Sequence, residues 1–349
     1  MVTIYEVARL SGVSTATVSR VMRDGGGFSV ATRERVLATV GELGWVPSGS
    51  ARGLVSRRSG IVGVLFPDLA KSGEAEEESP LYVDQIIRGA ERAATAAGDA
   101  VLIAATSSAS GRDLAYSVAG KVDGLVVLAR SLSEDDLTSI GRSVPVVVLA
   151  DDSARHAFDF VGADNRSGAS SLTKHLIDHG YREIAFIGGP AGAPDSVDRF
   201  TGFAEAMTAA GLAVGSAPDA DGGFTETGGE RAMQAVLGQR GPSLRAVLLG
   251  NDQMAIGAMA ALRSARLRVP TDIAITGFDD ISSAQHLRPA LTTVRQPIRE
   301  LGEQSVRLLL ERIADPRLDT RSVILPTEVV VRRSCGCRKG APARSGGHR

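Results

Sequence analysis

Apolar residues recur at helical spacing between Thr3 and Gly44 and predict three short helices. Gly12 permits the left-handed backbone of a tight corner after the first helix, and Ser14 is placed to cap the second. Ser29 begins the third helix, which Gly44 ends. The apolar faces consist of Ile4, Val7, Ala8, Val18, Val21, Met22, Val36, Leu37, Val40 and Leu43. The pattern predicts a three-helix unit in which the second helix packs on the first.

The outward stripe of the second helix has the composition of a DNA-reading surface. Its members are Thr15, Ala16, Ser19, Arg20 and Arg23. Short side chains let the backbone approach closely, and arginine can contact guanine with two hydrogen bonds in the major groove. Residues 1–60 carry eight arginines against four acidic residues, a net charge of +4 that suits a polyanion. The alternative is a solvated face on a small helical unit, and periodicity alone does not separate the two.

From residue 61 onward, short apolar runs alternate with helical stretches. The runs cover residues 61–66, 100–105, 124–129, 144–150, 183–189, 245–250 and 272–276. Continuous apolar runs with helices between them predict parallel sheets covered on both faces, and seven such units predict two lobes.

Polar residues directly after these runs are candidates for ligand contacts, because open α/β sheets bind ligands beyond the carboxyl ends of their strands. They are Asp68, Thr106, Ser107, Asp151, Asn251, Asp252, Asp279 and Asp280. Capping of the next helix is the favoured role for Asp252, Asn165 and Asp280.

Length, composition and the absence of certain motifs indicate which classes of protein this chain can belong to. The chain has 349 residues and a formal net charge of −1, which predicts two or three domains. It has neither an apolar stretch long enough to span a membrane nor a signal segment, so the cytosol is the expected compartment. Cys335 and Cys337 are interpreted as ordinary tail residues, and His175 and His179 as exposed residues of a capped helix. No phosphate loop, nucleophile elbow or complete zinc motif occurs, so no enzymatic activity, cofactor or metal is predicted.

The N-terminal segment TIYEVARLSGVSTATVSRVM, with its continuation through Leu54, closely resembles the headpiece of the LacI/GalR family of bacterial repressors. The resemblance implies that Thr15, Ala16 and Arg20 read bases. The positions that it implies for phosphate contacts are Thr3, Ser14, Thr17 and Ser19. Arg23 departs from the asparagine common in the family and is a further candidate for a DNA contact.

Residues 47–59 form a short polar linker with weak helix propensity. In the family that it resembles, this hinge folds when two copies meet in the minor groove of the operator, and the residue matching Leu54 is wedged between base pairs. Ala51 and Arg52 are further candidates for DNA contacts. Gly53 stands where a better helix former is often found, which raises the cost of ordering the hinge by up to ~1 kcal/mol.

The resemblance continues through VGADNRSGA, REIAFIGGP, VDRFTGF, LLGNDQMAIGA, ITGFDDI and LTTVRQP. It implies that Asp279 accepts hydrogen bonds from ligand hydroxyls, that Arg199 reaches ligand oxygens and that Phe224 stacks on a sugar or purine ring. The other implied effector-binding residues are Leu81, Tyr82, Ser107, Asn251 and Gln296. Leu81 departs from the family's phenylalanine, and the acidic insertion at residues 71–79, interpreted as a solvated loop, is also a departure.

The expected fold class is α/β, with a three-helix helix-turn-helix headpiece and hinge followed by a periplasmic-binding-protein-like domain of two lobes with parallel sheets. The expected segments are a headpiece at 1–46, a hinge at 47–59, a sensor at 60–335 and a disordered tail at 336–349. The N-lobe takes residues 60–161 and 294–322, and the C-lobe takes 162–293 and 323–335.

The expected function is that of a cytoplasmic, nucleoid-associated repressor. It binds a pseudo-palindromic operator in double-stranded DNA as a homodimer, because the chain has no leucine heptads for a larger assembly, and a sugar releases it. The alternatives are a purine-type corepressed regulator and a sugar-binding transport protein with a misassigned start. An enzyme is a third, weaker rival.

Overall fold

The structure is a computed structural model that describes residues 2–22, 26–45, 58–67, 81–106, 111–151 and 157–337. Its contacts divide the chain into two compact units between Gly60 and Ile61. Several predictions fall outside the described residues, namely the site candidates Arg23, Ala51, Arg52, Leu54, Asp68 and Ser107, most of the hinge, the acidic insertion and the tail after residue 337. Within the described ranges, no helix is long and apolar enough to cross a membrane.

The first unit contains three helices around a small apolar core. α1 spans Ile4–Ser11, α2 spans Thr15–Met22 and α3 spans Val30–Leu43. The buried core residues are Val7, Ala8, Val18, Val21 and Val36. This confirms the predicted packing of the second helix on the first.

The predicted helix ends and one apolar position can be compared with the structure directly. Gly12 has a φ of 67° at the end of α1, and the Ser14 hydroxyl accepts a hydrogen bond of 3.2 Å from the N–H of Thr17. Both agree with prediction. Leu37, expected in the core, is instead 42% exposed, because it lies about 100° around the helix from the buried Val36.

The second unit contains a six-stranded parallel sheet that forms the first lobe. Its strands are β1 (Ile61–Pro67), β2 (Ala100–Thr106), β3 (Gly124–Leu128), β4 (Val146–Leu149), β5 (Asp159–Ala163) and β11 (Ser322–Leu325). The spatial order is β11-β5-β4-β3-β1-β2. Its helices are α4 (Leu81–Ala96), α5 (Gly111–Ala119), α6 (Glu134–Gly141) and α11 (Ile298–Ala314). β3 and β4 are buried along their whole length, which is why they appear in the sequence as continuous apolar runs.

A four-stranded parallel sheet forms the second lobe. Its strands are β6 (Ile184–Gly188), β7 (Ala220–Asp221), β8 (Ala246–Leu249) and β9 (Ala274–Thr276), in the spatial order β7-β6-β8-β9. Its helices are α7 (Asn165–Asp178), α8 (Pro194–Ala209), α9 (Glu226–Arg240) and α10 (Asp252–Ser264). Two 3-10 turns follow α9 and β9, at Gly241–Ser243 and Ser282–Gln285. Parallel sheets in two lobes confirm the predicted fold class.

The chain crosses between the two sheets three times. It leaves the first sheet after β5, returns to it in α11, and leaves again after β11. The antiparallel pair β10 (Thr293–Arg295) and β12 (Glu328–Val330) lies along two of these crossings. Pairing of β5 with β11 extends the first sheet to residues 163 and 325, slightly beyond the expected lobe limits of 161 and 322.

Three polar residues expected to cap helices have other positions. Asp164 caps α7 and Asn251 caps α10, so Asn165 and Asp252 are the first residues inside these helices. Asp280 forms ion pairs with Arg295 and Arg332. The prediction placed each cap one residue late, because Asp and Asn occur in succession at both helix starts.

The C-terminal segment is part of the second lobe. Cys335 is fully buried in its core, and the Sγ atom of Cys337 lies 2.8 Å from Nε2 of His179. The segment is held against the sheet because the N–H of Ile275 donates to the carbonyl oxygen of Ser334 at 3.0 Å. The interpretation of these cysteines as ordinary tail residues is therefore wrong, and Gly336 and Cys337 do not belong to a disordered tail.

Candidate ligand cleft and nucleic-acid interface

Residues at the carboxyl ends of both sheets line one cavity between the lobes. The first lobe contributes Pro67, Tyr82, Val83, Leu128, Ala129, Arg130 and Ala150, and the second contributes Asp195, Arg199, Phe224, Asn251, Gln253 and Asp279. The space between these residues has a volume of about 630 Å³ including its open mouth, and its walls are mainly apolar with a few polar groups, as in small-molecule sites. Its position is the one predicted for a ligand in an open α/β sheet.

Arg199 is 2% exposed and has a fixed set of partners. Its Nε atom donates a 2.9 Å hydrogen bond to Oδ1 of Asn165, and NH1 donates to the carbonyl oxygen of Gly250. NH1 also lies 3.5 Å from Oδ1 of Asp279, and the guanidinium carbon lies 4.0 Å from the ring centroid of Phe278. These contacts hold the cation in one orientation, as a hydrogen-bond donor prepared for an oxygen-rich ligand.

Asp279 is a buried carboxylate on strained backbone. It follows β9, is 5% exposed and has a φ of 109°, a value rarely seen outside glycine. Oδ1 accepts a 2.6 Å hydrogen bond from Nε2 of Gln296. Burial raises the pKa of Asp279 to about 6, although Arg199 and Gln296 both favour the charged form. Strain and a raised pKa at a cavity wall are typical of a binding site.

Phe224 presents an aromatic ring to the cavity, and three features of the chain position it. Its backbone has a φ of 63°, and its ring packs over Gly189, where a Cβ atom would lie 2.2 Å from Cζ of the ring. Nδ2 of Asn251 donates to the Phe224 carbonyl oxygen at 3.0 Å, while Oδ1 accepts from the N–H of Met254 at 2.9 Å. Both polar ends of the Asn251 side chain are thus engaged within the protein.

The structure brings most of the predicted effector residues together. Tyr82, Arg199, Phe224, Asn251 and Asp279 line the cavity. Gln296 contacts Asp279 and does not line the cavity itself. Leu81 is described only as the first residue of α4, and Ser107 lies outside the described residues.

Three polar residues of the cavity were not predicted from the sequence. They are Arg130, Asp195 and Gln253. Asp195 lies one turn before Arg199 on α8, with 3.8 Å between Oδ2 and NH2, so the i,i+4 spacing could have found it. Arg130 follows β3 closely and fits the carboxyl-end rule, which the sequence analysis applied to Asp, Asn, Ser and Thr alone.

The outward face of α2 carries the predicted DNA-reading residues. Ala16 and Arg20 are exposed, and Thr15 and Ser19 are half-buried, while Val18 on the opposite side is fully buried.

The predicted phosphate contacts lie at helix starts. The hydroxyls of Ser14 and Thr17 lie 2.9 Å apart at the start of α2, and Thr3 begins α1 in a capping box with Glu6. Helix N-termini present free N–H groups and a positive dipole end, which suit phosphate oxygens.

The chain matches two family models. Residues 3–48 match the model of bacterial regulatory proteins of the lacI family, and residues 173–335 match a periplasmic binding protein-like domain. Catabolite control protein A of Priestia megaterium is 31% identical over 338 residues, covering 95% of this chain and 99% of that protein. The ribose operon repressor of Escherichia coli K12 is 34% identical over 340 residues, covering 95% of this chain and 99% of that protein.

Solved structures are similar along almost the whole chain. A complex of the transcriptional regulator CelR with cellobiose has a TM-score of 0.72 at 32% identity and covers 96% of this chain and 100% of that one. The lac repressor dimer bound to operator and the anti-inducer ONPF has a TM-score of 0.81 at 28% identity and covers 96% of this chain and 99% of that one. Since the similarity spans the headpiece and both lobes, this protein belongs to the lacI family of bacterial regulatory proteins.

Proposed function

We propose that this protein is a transcriptional repressor that binds an operator through α2 and loses affinity for it when a sugar occupies the cavity between the lobes. The observation that carries the proposal is the buried pair Arg199 and Asp279 at the wall of a mainly apolar cavity, in a chain that also has a helix-turn-helix unit. The pair supplies a donor and an acceptor for a neutral, hydroxyl-rich ligand.

A sugar fits the chemistry of this cavity. Its hydroxyls can donate to the Asp279 carboxylate and accept from Arg199, and charge-assisted hydrogen bonds of this kind are strong and directional. The Phe224 ring can cover the C–H face of a sugar ring, and Tyr82 supplies a second aromatic surface from the first lobe. The ribose operon repressor and the CelR complex with cellobiose support the same ligand class.

DNA recognition is assigned to the headpiece. Thr15, Ala16 and Arg20 would read base edges in the major groove. The residues assigned to phosphate contacts are Thr3, Ser14, Thr17 and Ser19. The family resemblance adds the hinge residues Ala51, Arg52 and Leu54, together with Arg23. The lac repressor complex with operator supports duplex DNA as the partner.

Ligand control follows from one cavity lined by two lobes. A sugar held by Arg199 and Asp279 of the second lobe and packed on Tyr82 of the first would favour a closed arrangement, with the three crossing segments acting as the hinge. Thermodynamic linkage then requires that operator weakens sugar binding by the same factor by which sugar weakens operator binding.

A homodimer is the proposed working unit. A single helix-turn-helix unit reads one half-site, and two-fold symmetric dimers read palindromic operators. The edge strands of the first sheet leave Ile103 43% exposed and Ile324 53% exposed, apolar surface that supports association through this lobe.

The proposal is tested by ligand screening followed by DNA binding. Thermal-shift measurements on the full chain with ribose, cellobiose and purine bases identify the ligand class, and the proposal expects a sugar to raise the Tm of the wild type. A duplex selected from random sequence then serves as operator in a gel-shift titration with that sugar. Stabilisation by a purine base alone would reassign the ligand, and binding to no duplex would contradict the repressor.

A further inference from the structure

Four metal-ligating side chains meet at the C-terminal end of α7. They are His175 of that helix, its C-cap His179, and Cys335 and Cys337 of the C-terminal segment, and none of them lines the cavity between the lobes. We propose that these four residues form a structural zinc site that fastens the C-terminal segment to the second lobe. The two pairs lie far apart in the sequence, where neither forms a complete zinc motif and no metal is predicted.

The four donor atoms already lie close together. All four lie within 4.8 Å of one another. Nε2 of His175 lies 3.4 Å from Sγ of Cys335 and 3.8 Å from Sγ of Cys337. Ideal zinc bonds of roughly 2.3 Å to sulfur and 2.0 Å to nitrogen place tetrahedral donors about 3.3 to 3.8 Å apart. The observed separations, from 2.8 Å to at most 4.8 Å, bracket these values, so small movements of the side chains would bring the four donors into a tetrahedron.

Each half of the site is built by local structure. His175 in the last turn of α7 and His179 at its C-cap are four residues apart in helical backbone and so project from the same face, with ring centroids 4.7 Å apart. Between the cysteines, Gly336 adopts a φ of 95°, a turn that brings both sulfur atoms to one side. A Cβ atom at Gly336 would lie 3.1 Å from the Tyr181 hydroxyl oxygen, so the turn packs closely on the lobe.

Neighbouring groups hold the cysteine side of the site in place. The Tyr181 hydroxyl donates to the carbonyl oxygen of Cys335 at 3.1 Å, and the Thr292 hydroxyl lies 3.1 Å from its Sγ atom, as a donor to sulfur would. Ser334, one residue earlier, accepts from the N–H of Thr292 at 2.8 Å. Hydrogen bonds of this kind around the ligands orient a metal site and tune its affinity.

The donor set selects the metal. Two thiolates and two imidazoles in a tetrahedron suit zinc, whereas calcium and magnesium require oxygen ligands. Two thiolates also neutralise the charge of the ion next to the buried Cys335. All four positions are filled by protein, which is the arrangement of a structural site with no open position for a substrate. The cation would join two parts of the chain that are far apart in sequence.

Metal analysis of the full-length protein tests the site. The protein is purified without chelator in a phosphine reductant, which keeps the thiols reduced, and its zinc content is measured. One zinc ion per chain is expected, and cobalt(II) in its place should give thiolate-to-cobalt charge transfer with the intense visible bands of a tetrahedral ion. EDTA should lower the Tm, and zinc should restore it.

Single-residue variants separate this site from adventitious binding. Cys337→Ser and His179→Gln alter the two less buried ligands and are expected to fold, yet to bind zinc at least ~100-fold more weakly. His286→Gln, an exposed histidine on the same lobe, is the matched control and should keep one zinc ion.

Three results would overturn the proposal. They are an absence of bound zinc in the reduced protein, full retention of zinc in both variants, and a native mass lower by two hydrogens that shows a Cys335–Cys337 disulfide in place of the metal.

Discussion

The replacement Asp279→Asn tests the ligand chemistry sharply, because it removes one charge and almost no volume. The carboxylate is 5% exposed, accepts a 2.6 Å hydrogen bond from Gln296 and lies 3.5 Å from NH1 of Arg199. A hydrogen bond to a charged group contributes ~1.5–3 kcal/mol, so the variant should bind sugar about 10- to 150-fold more weakly. Isothermal titration calorimetry with the sugar that raises the Tm measures this difference.

Protonation of the same carboxylate should weaken sugar binding in the wild type. Burial raises the pKa of Asp279 to about 6, so the side chain is charged above that pH and becomes neutral as the pH falls through it. Sugar affinity is expected to be level above about pH 7 and to fall by up to ~tenfold per pH unit below pH 6. In Asp279→Asn the same titration should show no such step.

Folding should not account for the loss of affinity. Because the pKa of Asp279 is raised in the folded state, its ionised form opposes folding at neutral pH, and the variant removes that charge. Asp272→Asn is the matched control, since it neutralises a partly exposed carboxylate of the same lobe, outside the cavity and paired with Arg268 at 2.9 Å. Equal losses of affinity in the two variants, or a wild-type pH step in Asp279→Asn, would refute the assignment of Asp279 to the ligand.

Three further substitutions address the DNA interface, the ring position and a buried ion pair. Arg20→Ala should lose ~1–3 kcal/mol of discrimination between bases at one operator position. Competition between operator variants measures this loss, with Arg9→Ala as the control. An equal loss of affinity for every DNA sequence would contradict base reading by Arg20. Gly189→Ala puts a Cβ atom 2.2 Å from the Phe224 ring and should weaken sugar binding measured by calorimetry. The control Gly238→Ala has no atom within 4 Å of the new Cβ and should leave the affinity unchanged. Equal sugar affinities in the two variants would show that the Phe224 ring does not contact the sugar. Asp159→Asn breaks the ion pair between a fully buried carboxylate and the partly exposed Arg312, and it should lower the free energy of unfolding in urea by up to ~3–5 kcal/mol. A much smaller loss is expected for Asp272→Asn, and similar losses in the two variants would contradict the role of burial.

The fold could be predicted where burial makes a strand uniformly apolar. The seven apolar runs correspond to β1, β2, β3, β4, β6, β8 and β9. β5 was not predicted because it begins with Asp159, a buried charge whose partners, the Arg312 side chain and the N–H of Arg321, are distant in sequence. β7, β10 and β12 are two or three residues long, too short to produce a pattern.

The sequence predicts several residues that line the candidate cleft, but not the hydrogen bonds that hold them in place. Position after a strand pointed to Asp279, and family resemblance pointed to Arg199 and Phe224. The roles of Gln296 and Asn251 depend on hydrogen bonds to Asp279 and to the Phe224 backbone, which no local pattern encodes.

The histidine and cysteine pairs show the same limit of local patterns. They are 156 to 162 residues apart along the chain and meet only because the C-terminal segment returns to α7. Spacing within each pair was visible in the sequence, whereas their juxtaposition depends on the last crossing between the lobes.

The most direct test of sugar-controlled repression is the operator dissociation constant of the purified protein, measured with and without a saturating concentration of the sugar that fills the cavity. A coupling of ~1–3 kcal/mol predicts that the constant rises about 5- to 150-fold when sugar is added, and that operator weakens sugar binding by the same factor. An unchanged constant, or a tighter complex in the presence of the sugar, would contradict the account.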